Sequence, residues 1–497
     1  MTLTEIAEAV GGVPAPGTDG GLEVIGPVTV DSRAVSPGGL FAAFAGANAD
    51  GHDFAAAAVQ HGAAAVLASR PVDAPAVLVE DVQKALGRLA RAVLDRLRAA
   101  GPGASGQRTS DRGAAEVLAL TGSSGKTSTK DLLGQVLAGH PVFAPDGPVP
   151  GAVIAPKNSY NNELGLPLTV LGAGPETRFL VLEMGSRGPG HVRYLCEIAP
   201  PSTGIVLNIG SAHISEFGSK EKTALAKGEM VEALAEDGLA VLNADDPLVA
   251  AMRSRTKARV VTFGRAPEAD VRATGIEVGA DGRASFTLAA DGSEARVALQ
   301  LVGEHHVSNA LAAAAAALGT GMSVDAVADG LSAAVALSGG RMAVSERSDG
   351  VVVIDDAYNA NPESVGAALK SLALLARSRP GARSWAVLGP MLELGERSDE
   401  EHEAIGRLAV RLGIDRLVVV GEGAARIHAG AGREGLGGEE STAVSGPQEA
   451  VELLRAQVRP GDLVLVKASN AIGLRRVAAE LLGAVTGDGP ADQGAAR

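Results

Sequence analysis

Short apolar runs alternate with segments of helical periodicity along most of the chain. In the middle of the chain the apolar runs are VLALT, FLVLEM, GIVLNI, LAVLN and VVTF. This alternation predicts a parallel α/β sheet, because parallel strands need crossover connections, which are usually helices. Nearer the C-terminus, VVVIDD, WAVLGP, RLVVVG and DLVLVKAS repeat the pattern and predict a second, smaller doubly wound sheet of Rossmann type. Residues 1–100 combine short strand-like runs with Ala-rich segments such as DFAAAAVQHG, which indicates a further α/β domain.

Composition breaks divide the chain into segments. AAGPGASGQRTSDRGAA is rich in Gly, Ser and charge, which is typical of a linker, and the tail from Thr486 has the composition of a disordered segment. LSGGRM separates an Ala-rich helical run from the next strand. We therefore expect a first domain at 1–100, a linker at 101–115, a central domain at 116–337, a C-terminal domain at 338–485 and a disordered tail at 486–497.

Composition narrows the class of protein. The 497 residues are 46% apolar, which is ample for full-sized cores, and the net charge of −14 argues against a general nucleic-acid or membrane-surface binder. The single cysteine, Cys196, excludes an intramolecular disulfide framework and is expected to be a buried small apolar residue. The N-terminus lacks a signal-peptide pattern, and no apolar run approaches the length of a membrane span. We expect a cytoplasmic protein without membrane insertion.

The stretch VLALTGSSGKTSTKDLLGQVL, residues 117–137, predicts a phosphate-binding loop. Gly122 and Gly125 allow backbone amides to crowd around an anion, Lys126 supplies a positive charge, and the Thr127 hydroxyl is suited to Mg²⁺. Leu120 stands where the usual P-loop pattern has its first glycine, so the full pattern is not met. The alternative is a glycine-rich turn in a βαβ unit, and nucleotide binding is favoured because GKTS opens a helix directly after an apolar strand.

Glu183 and His213 follow two further predicted strands, FLVLE and GIVLN. The carboxyl ends of parallel strands form the edge at which α/β sheets bind their ligands. A carboxylate and an imidazole there are candidates for Mg²⁺ coordination, with phosphates and water completing the octahedron. Taken singly, Glu183 would more often be a cap or an ion pair, and His213 a loop histidine.

Three other stretches carry candidate chemistry that spacing alone leaves open. Lys227 lies on a predicted amphipathic helix, TALAKGEMVEAL, where the alternative is a surface lysine. Asn309 opens an Ala-rich helix and either contacts an adenine edge or belongs to the cap of a buried helix. VVVIDDAYNANP ends a strand in two carboxylates and two asparagines, which suit either acid–base chemistry or a ribose hydroxyl.

The motifs TGSSGKTS, LEMG, NIGSAHISEFGS, AKGE, SNALAAAAA, GGR and DDAYNANP, in this order and at these intervals, resemble the Mur ligase family of ATP-dependent amide-bond ligases in peptidoglycan synthesis. The short loop TG-x-x-GKT is that family's version. The stretches 31–54, 158–169 and 391–402 are similar to the branch that joins D-alanyl-D-alanine to UDP-N-acetylmuramoyl-tripeptide. The resemblance runs from about Asp31 to Lys467. It implies three domains, which bind the UDP substrate, ATP and the incoming dipeptide.

The resemblance also implies roles for particular residues. Thr127 and Glu183 would bind one Mg²⁺, and His213 would help with a second. Lys227 matches the family's lysine that becomes carbamylated by CO₂, which would turn it into a carboxylate analogue that bridges the metal ions. The predicted catalytic residues are Lys126, Glu183, His213, Lys227 and Arg341. The predicted ATP contacts are Gly122, Ser123, Ser124, Gly125, Lys126, Thr127 and Ser128 at the β- and γ-phosphates, Arg341 at the γ-phosphate, Asn309 at adenine and Asp356 at the ribose. The predicted substrate contacts are Ser32 and Arg33 at the UDP end, Asn161 and Asn162 along the nucleotide-peptide, and Asn359, Asn361 and Lys467 at the dipeptide.

Two positions depart from the family's pattern. His306 stands where the family often has Asn, which leaves a second adenine contact open, and Pro390 replaces a carboxylate that usually precedes MLELG. The implied mechanism transfers the γ-phosphoryl of ATP to a carboxylate, and the amine then displaces phosphate. Mg²⁺, Lys126 and Arg341 would offset the repulsion between the two anions.

Two rival interpretations are a sister ligase that adds a single amino acid and a P-loop regulator or transport ATPase. The chain lacks the Asp-Asn-Pro-Arg motif of the third-residue ligase. A P-loop ATPase would need an apolar strand ending in Asp beside the nucleotide, whereas LVLEM ends in Glu and VVVIDD lies in another predicted domain. We expect a monomer, and the third residue of the peptide, lysine or diaminopimelate, stays open.

Overall fold

The computed structural model describes residues 1–46, 49–99, 115–143, 147–156, 158–210 and 218–483. Three separate β-sheets follow one another along the chain, each covered by helices, so the α/β class is confirmed. The three sheets lie within 1–100, 116–337 and 338–485, while the boundaries themselves stay predictions. The predicted tail, and the predicted linker apart from Ala115, lie outside the described residues.

The first sheet has five strands in the order β1-β5-β4-β3-β2, with β1 antiparallel to β5 and the other neighbours parallel. Apolar side chains of α1 and α3 cover one face, and those of α2 cover the other. The strands are β1 (Val13–Pro14), β2 (Val28–Thr29), β3 (Gly39–Ala42), β4 (Ala63–Ala68) and β5 (Ala76–Leu78), and the helices are α1 (Leu3–Val10), α2 (Ala55–Gln60) and α3 (Val82–Ala99).

The second sheet has nine strands in the order β14-β13-β12-β11-β10-β9-β6-β8-β7. Its strands are β6 (Glu116–Thr121), β7 (Val153–Ile154), β8 (Phe179–Glu183), β9 (Thr203–Val206), β10 (Leu239–Asn243), β11 (Arg259–Gly264), β12 (Val271–Val278), β13 (Arg283–Ala290) and β14 (Ser293–Val302). Its helices are α4 (Lys126–Ala138), α5 (Gly165–Val170), α6 (His191–Ile198), α7 (Lys220–Glu232), α8 (Pro247–Ala250), α9 (His306–Gly319) and α10 (Val324–Ala333).

The five predicted strands correspond to β6, β8, β9, β10 and β11 and pair parallel as predicted, whereas the last three strands of this sheet were not predicted. β12, β13 and β14 pair antiparallel with one another. Burial alternates along β13, which is typical of an antiparallel strand with one face toward solvent. Asp291 and Gly292 join β13 to β14 with φ of 49° and 77°, and two positive φ values suit the tight hairpin turn that Asp-Gly favours.

The Ala-rich helix α9 packs against α4, the helix that follows the phosphate loop. Alanines 310 and 312–317 share one buried cluster with Leu132, Leu133 and Val136 of α4. The prediction of a buried helix is confirmed. Cys196 is buried as well, and burial raises the pKa of its thiol to about 12, as expected for a small apolar residue rather than a nucleophile.

The third sheet has six strands in the order β15-β16-β20-β17-β18-β19. Only the edge pair β15–β16 is antiparallel, and buried apolar clusters lie on both faces, as predicted for a doubly wound sheet. The strands are β15 (Ala343–Glu346), β16 (Val352–Asp355), β17 (Ser384–Leu388), β18 (Arg416–Val420), β19 (Ser441–Val444) and β20 (Leu463–Lys467). The helices are α11 (Pro362–Arg377), α12 (Ser398–Arg411), α13 (Ala425–Arg433), α14 (Pro447–Gln457) and α15 (Arg475–Leu481). Among the described residues, none of the helices has the length and apolar character needed to span a bilayer.

Candidate active site

The predicted phosphate loop connects the end of β6 to the start of α4. Gly125 precedes α4 with φ of 82°, a left-handed conformation that favours glycine. A Cβ atom at Gly125 would lie 2.3 Å from Asn309 Oδ1, and one at Gly122 would lie 2.8 Å from Leu207 Cβ. Both glycines are therefore required by close approach, and Asn309 lies directly against the loop.

Asn208, just beyond β9, holds the loop in shape. Its Oδ1 accepts hydrogen bonds from the backbone N–H groups of Ser123 (3.1 Å) and Ser124 (3.0 Å), and its Nδ2 donates to Ser124 O (3.2 Å). Lys126 folds back over the loop and donates from Nζ to Gly122 O (2.8 Å). Asn208 was not predicted to take part in the site, although the asparagine in the apolar run GIVLNI was a usable signal.

A chain of side-chain oxygens connects α4 to the end of β8. Thr127 Oγ1 donates to Ser159 Oγ (3.4 Å), and Ser159 Oγ donates to Glu183 Oε2 (2.8 Å). Glu183 is fully buried, and its Oε1 has no hydrogen-bond partner among the described residues. Ser159 was missed, although it lies in the quoted stretch NSYNN.

This oxygen chain fits a hard divalent cation. A buried carboxylate oxygen without a protein partner needs compensation, and Mg²⁺ takes carboxylate and hydroxyl oxygens with phosphates and water. In the described ranges, no three or more His, Cys, Asp or Glu side chains are grouped so that they could hold a metal ion, so phosphate and water would have to supply much of the coordination. Thr127 and Glu183 are the residues that would hold the ion, and His213 lies outside the described residues.

Lys227 is buried, which contradicts its interpretation as a surface lysine. It is 1% exposed, and within the described chain its side chain makes no hydrogen bond or ion pair. Burial lowers the pKa of Lys227 well below its usual value, and the nearby charge of Lys126 lowers it further. Helix α7 is buried over most of its last two turns rather than on one amphipathic face. The cavity described below is lined by Lys227 and the loop together.

Arg341 reaches the phosphate loop from the start of the third domain. Its Nη2 donates to Thr127 Oγ1 (3.1 Å), and its Cζ lies 4.1 Å from the centroid of the Tyr358 ring. Arg341 Nε is buried without a partner among the described residues. The pKa of Lys126 is lowered by burial and by the Arg341 charge, and the Glu183 carboxylate opposes this shift. Two cations and one carboxylate thus meet at the loop.

Asp356 follows β16 on the facing wall of the cavity. Its Oδ1 accepts from Met342 N (3.2 Å), and its Oδ2 pairs with Lys467 Nζ (2.7 Å). Lys467 is 2% exposed and also donates to Asn359 O (2.8 Å). The amine of Lys467 therefore has partners within the protein and fixes the positions of Asp356 and Asn359.

Asn309 and His306 form a neutral polar pair at the start of α9. Asn309 Nδ2 lies 3.3 Å from His306 Nδ1, and the rings of His305 and His306 stack with centroids 4.2 Å apart. Burial lowers the pKa of His306 well below its usual value and lowers that of His305. Both rings line the cavity. His306, which stands where the family often has Asn, therefore supplies a neutral imidazole there.

The predicted substrate asparagines are placed by local hydrogen bonds. Asn161 Nδ2 donates to Ser159 Oγ (3.0 Å), and Asn162 Oδ1 accepts from Gly165 N (2.8 Å). Asn361 caps α11 by accepting from Ser364 N (2.9 Å). These asparagines and Asn359 line the same cavity.

Ser32 and Arg33 lie apart from the cavity lining. Arg33 forms a two-point ion pair with Asp31 on the surface of the first domain, at 2.9 and 2.8 Å. Their side chains are 69% and 42% exposed. The structure does not bring Ser32 and Arg33 together with the other predicted residues.

The loop carrying MLELG forms another part of the wall. His402 Nε2 accepts from Met391 N (2.9 Å), and Ser469 Oγ accepts from Leu392 N (3.0 Å). Pro390 O accepts from Ser469 N (3.1 Å), so the proline position is held by backbone contacts. Leu392 and Glu393 line the cavity.

The cavity has a volume of about 810 Å³ and lies between the second and third sheets. It brings together most of the predicted ATP, metal and dipeptide residues from two domains. The predicted site residues that line it are Ser123, Ser124, Gly125, Lys126, Thr127, Ser128, Asn161, Asn162, Lys227, Asn309, Arg341, Asp356, Asn359, Asn361 and Lys467. Tyr358 also lines the cavity, and no role was predicted for this residue from the sequence.

Comparison with known proteins agrees with this arrangement. The Mur ligase middle domain matches residues 120–317, the Mur ligase glutamate ligase domain matches 340–470, and the Mur ligase family catalytic domain matches 24–94. A UDP-N-acetylmuramoyl-tripeptide–D-alanyl-D-alanine ligase from Mycobacterium tuberculosis is 49% identical over 97% of this chain and 98% of its own length. The ligase of the same name from Escherichia coli K12 is 35% identical over 85% of this chain and 86% of its own.

Solved structures give the same result. A crystal structure of MurF from Acinetobacter baumannii superposes with a TM-score of 0.80 at 30% identity, covering 97% of this chain and 98% of that one. The MurF ligase from Thermotoga maritima in complex with ADP superposes with a TM-score of 0.74 at 30% identity, covering 92% and 97%. The sequence identity to these ligases extends over nearly the whole chain, and the family's motifs lie around one cavity. The chain therefore belongs to the Mur ligase family.

Proposed function

We propose that the protein is an ATP-dependent ligase that joins D-alanyl-D-alanine to UDP-N-acetylmuramoyl-tripeptide, forming ADP, phosphate and the pentapeptide precursor of peptidoglycan. The relatives that match along the whole chain carry this activity in their names. The observation that carries the proposal is the convergence of the phosphate loop with Arg341 and Asp356 on one cavity between two domains, while Glu183 is joined to Thr127 of the loop through Ser159. A ligase needs such a cleft because the carboxylate must meet the γ-phosphate, and the amine must then meet the acyl phosphate, away from water.

The loop is proposed to bind the β- and γ-phosphates of ATP. Gly122 to Ser128 offer backbone amides at the positive end of α4, and Lys126 lies over them. Asn309 touches the loop and would contact adenine, and Asp356 would contact the ribose. Thr127 and Glu183 would hold Mg²⁺, which supplies positive charge that polarises the phosphoryl oxygens when it is bound.

The chemistry follows from the charges that meet in the cavity. The terminal carboxylate oxygen of the tripeptide attacks the γ-phosphorus, the bond from phosphorus to the β–γ bridging oxygen breaks, and ADP leaves. Lys126 and Arg341 offset the repulsion between the two anions. The neutral amine of the dipeptide then attacks the carbonyl carbon of the acyl phosphate, loses a proton, and the C–O bond to phosphate breaks.

Lys227 is proposed to carry a carbamate. A buried amine without a counter-ion is neutral, and a neutral amine nitrogen can attack CO₂, forming a C–N bond and releasing one proton. The product is an anion that would balance Lys126 and Arg341. Burial at 1% exposure and the position on the cavity wall support this proposal, together with the resemblance to the family's modified lysine.

The wall formed by the third domain suits a small dipeptide. DDAYNANP and the MLELG loop present amides and small residues and contain no arginine, whereas a ligase for a charged amino acid needs side-chain partners for it. Since Lys467 is paired with Asp356, we propose that it fixes the positions of Asp356 and Asn359 at this wall.

Ser32 and Arg33 of the first domain would hold the UDP end of the nucleotide-peptide. We further propose that the protein acts as a monomer in the cytoplasm.

A coupled phosphate-release assay tests the proposal. Phosphate should appear only with ATP, Mg²⁺, UDP-N-acetylmuramoyl-tripeptide and D-alanyl-D-alanine together, using lysine- and diaminopimelate-containing tripeptides in parallel. Free D-alanine, L-lysine, diaminopimelate and L-glutamate should be poor substitutes, because half a ligand leaves buried polar groups unpaired. Equal turnover with any single amino acid would favour a sister ligase, and release with ATP alone would favour a hydrolase.

A further inference from the structure

One face of α4 contacts the segment that joins the central domain to the third. Thr127, Asp131 and Gln135 are spaced four residues apart and therefore lie on the same side of the helix. Each of them makes a hydrogen bond to residues 334–342, which connect α10 to β15 and are here termed the connector. Helix α4, which begins at the phosphate loop, thus also binds the segment that connects the central domain to the third.

The first two contacts use the backbone of the connector. Gln135 Oε1 accepts from Val335 N (3.1 Å), and Gln135 Nε2 donates to Val335 O (2.9 Å), so one side-chain amide satisfies both backbone groups of a residue. Asp131 Oδ2 accepts from Ser338 N (3.1 Å). Backbone contacts of this kind fix the position of the chain along the helix whatever side chains it carries.

The contacts of the connector change sides at Gly339. Gly340 O accepts from Tyr358 N (3.2 Å), and Met342 N donates to Asp356 Oδ1 (3.2 Å), so these residues are held by the third domain. Arg341 then reaches back to Thr127 Oγ1 (3.1 Å) at the start of α4. Val335 and Ser338 are therefore held by the central domain. The backbone around Arg341 is held by the third domain, and its guanidinium reaches across to the central domain.

We propose that Gln135 and Asp131 are positioning residues for the ligase reaction: they set the register of the connector along α4, and this register brings Arg341 to the phosphate loop. The proposal rests on the proposed function, because it takes Arg341 as the group that meets the γ-phosphate. A slip of the connector by one residue would move Arg341 by up to about 3.3 Å, the rise of one extended residue, which exceeds the tolerance of a hydrogen bond. Displacements of about 1 Å from productive geometry already lower rates by about 10²-fold.

Gln135 offers the clean test, since replacing Asp131 would also leave the buried Lys130 ammonium without its ion pair (2.8 Å). Gln135→Ala removes both contacts to Val335, and Gln135→Met removes them while keeping a side chain of similar length. Gln448→Ala is the matched control, because the side chain of this exposed glutamine bonds, among the described residues, only the side chains of Glu452 and Arg476. Both Gln135 variants should lower kcat about tenfold with the KM for D-alanyl-D-alanine within about twofold, and the control should match wild type.

Measurements of nucleotide binding show whether Gln135 acts by positioning Arg341 or only by stabilising the folded protein. The Kd values of ADP and of a non-hydrolysable ATP analogue are measured by calorimetry for wild type, Gln135→Ala, Arg341→Ala and the double variant. Wild type should prefer the triphosphate, and Gln135→Ala should lose most of this preference while keeping its ADP affinity. The double variant should match Arg341→Ala, because a residue that acts through Arg341 has no effect once Arg341 is gone.

Several outcomes would overturn the assignment. These are an unchanged kcat and nucleotide preference in Gln135→Ala, an equal loss of affinity for both nucleotides, or effects of the two substitutions that simply add. A wild-type protein that needs no dipeptide for phosphate release would contradict the proposed function. The nucleotide preference would still test the positioning role, since it requires neither peptide substrate.

Discussion

The cavity between the second and third sheets and the surface around Ser32 and Arg33 differ in how their predicted residues are held. Lys227 and Asp356 line the cavity and are buried, and the buried Glu183 is joined to Thr127 of the loop through Ser159. Asn208 fixes the loop, and Lys467 fixes Asp356. On the first domain, Arg33 pairs with Asp31 in the open, where ion pairs contribute little to stability. Burial and side-chain contacts therefore support the proposed ATP end independently of the resemblance, whereas the proposed UDP end rests on the resemblance alone.

The largest expected effect tests the cavity side. Lys126→Ala should lower turnover by at least about 10³-fold, because it removes a charge that meets the transferring phosphoryl. The protein should stay folded, since the amine bonds only the Gly122 carbonyl within the described chain. Steady-state phosphate release with thermal unfolding as the control checks this. Turnover within about tenfold of wild type would remove Lys126 from the chemistry.

The second largest effect is expected for Lys227→Ala, which tests whether the buried Lys227 is needed for activity or only for the fold. The variant should be nearly inactive, and acetate or formate should restore part of the rate by supplying the missing anion. A carbamate should also make wild-type activity depend on dissolved CO₂, measured after degassing and after adding bicarbonate. Full activity of Lys227→Ala would show that the carbamate is not needed.

Arg33→Ala tests the exposed region. The KM for UDP-N-acetylmuramoyl-tripeptide should rise about tenfold while the KM for ATP stays unchanged, because a lost charge-assisted contact contributes about 1.5–3 kcal/mol. The free energy of unfolding should hardly change. Arg70→Ala is the matched control, since Arg70 also forms exposed ion pairs, with Asp50 and Asp53, in the same domain. An equal rise of KM in both variants would show a general charge effect.

The smallest expected effect concerns pH and the wall formed by MLELG. Burial lowers the pKa of His402, and Asp399 and Glu401 oppose the shift only partly. The folded protein therefore prefers neutral His402, so its contribution to stability is complete above the unfolded pKa of about 6.5 and is lost as pH falls below it. Protonation would also end the bond that Nε2 accepts from Met391 N.

Unfolding measured from pH 8 to 5 checks this expectation. The free energy of unfolding should fall less steeply with decreasing pH in His402→Gln than in wild type, because the variant has one titrating group fewer. His305 and His306 titrate equally in both proteins and cancel in the difference. Identical slopes would show that His402 does not contribute to the acid sensitivity.

Local signals account for what the sequence predicted. The strands around the phosphate loop are continuous apolar runs, and Gly122 and Gly125 mark a turn that the backbone geometry requires. The hairpin β13–β14 was missed although Asp291-Gly292 is a hairpin signal, since strand pairing depends on partners that the local pattern does not specify. Ser159 and Asn208 were missed because their roles arise from contacts with residues far away in sequence.

Lys227 shows the limit of periodicity. Helix α7 was predicted to be amphipathic, but its buried residues include Ala226, Lys227, Gly228 and Glu229 in succession. A lysine in such a helix is buried because other elements cover that side. Only the resemblance to the family separated it from a surface lysine, and the structure then supplied the burial.

The alanines of α9 have a consequence for the order of the nucleotide site. Alanine is the strongest helix former and loses no side-chain conformational entropy on burial, so α9 becomes ordered without rotamers having to freeze. It packs against α4 and presents Asn309 to Gly125. Because α9 has so few internal degrees of freedom, we expect it to move as one unit with α4 and to keep Asn309 against the loop. The spacing between the groups proposed for the base and for the phosphates is thus preserved by side chains that carry no functional group.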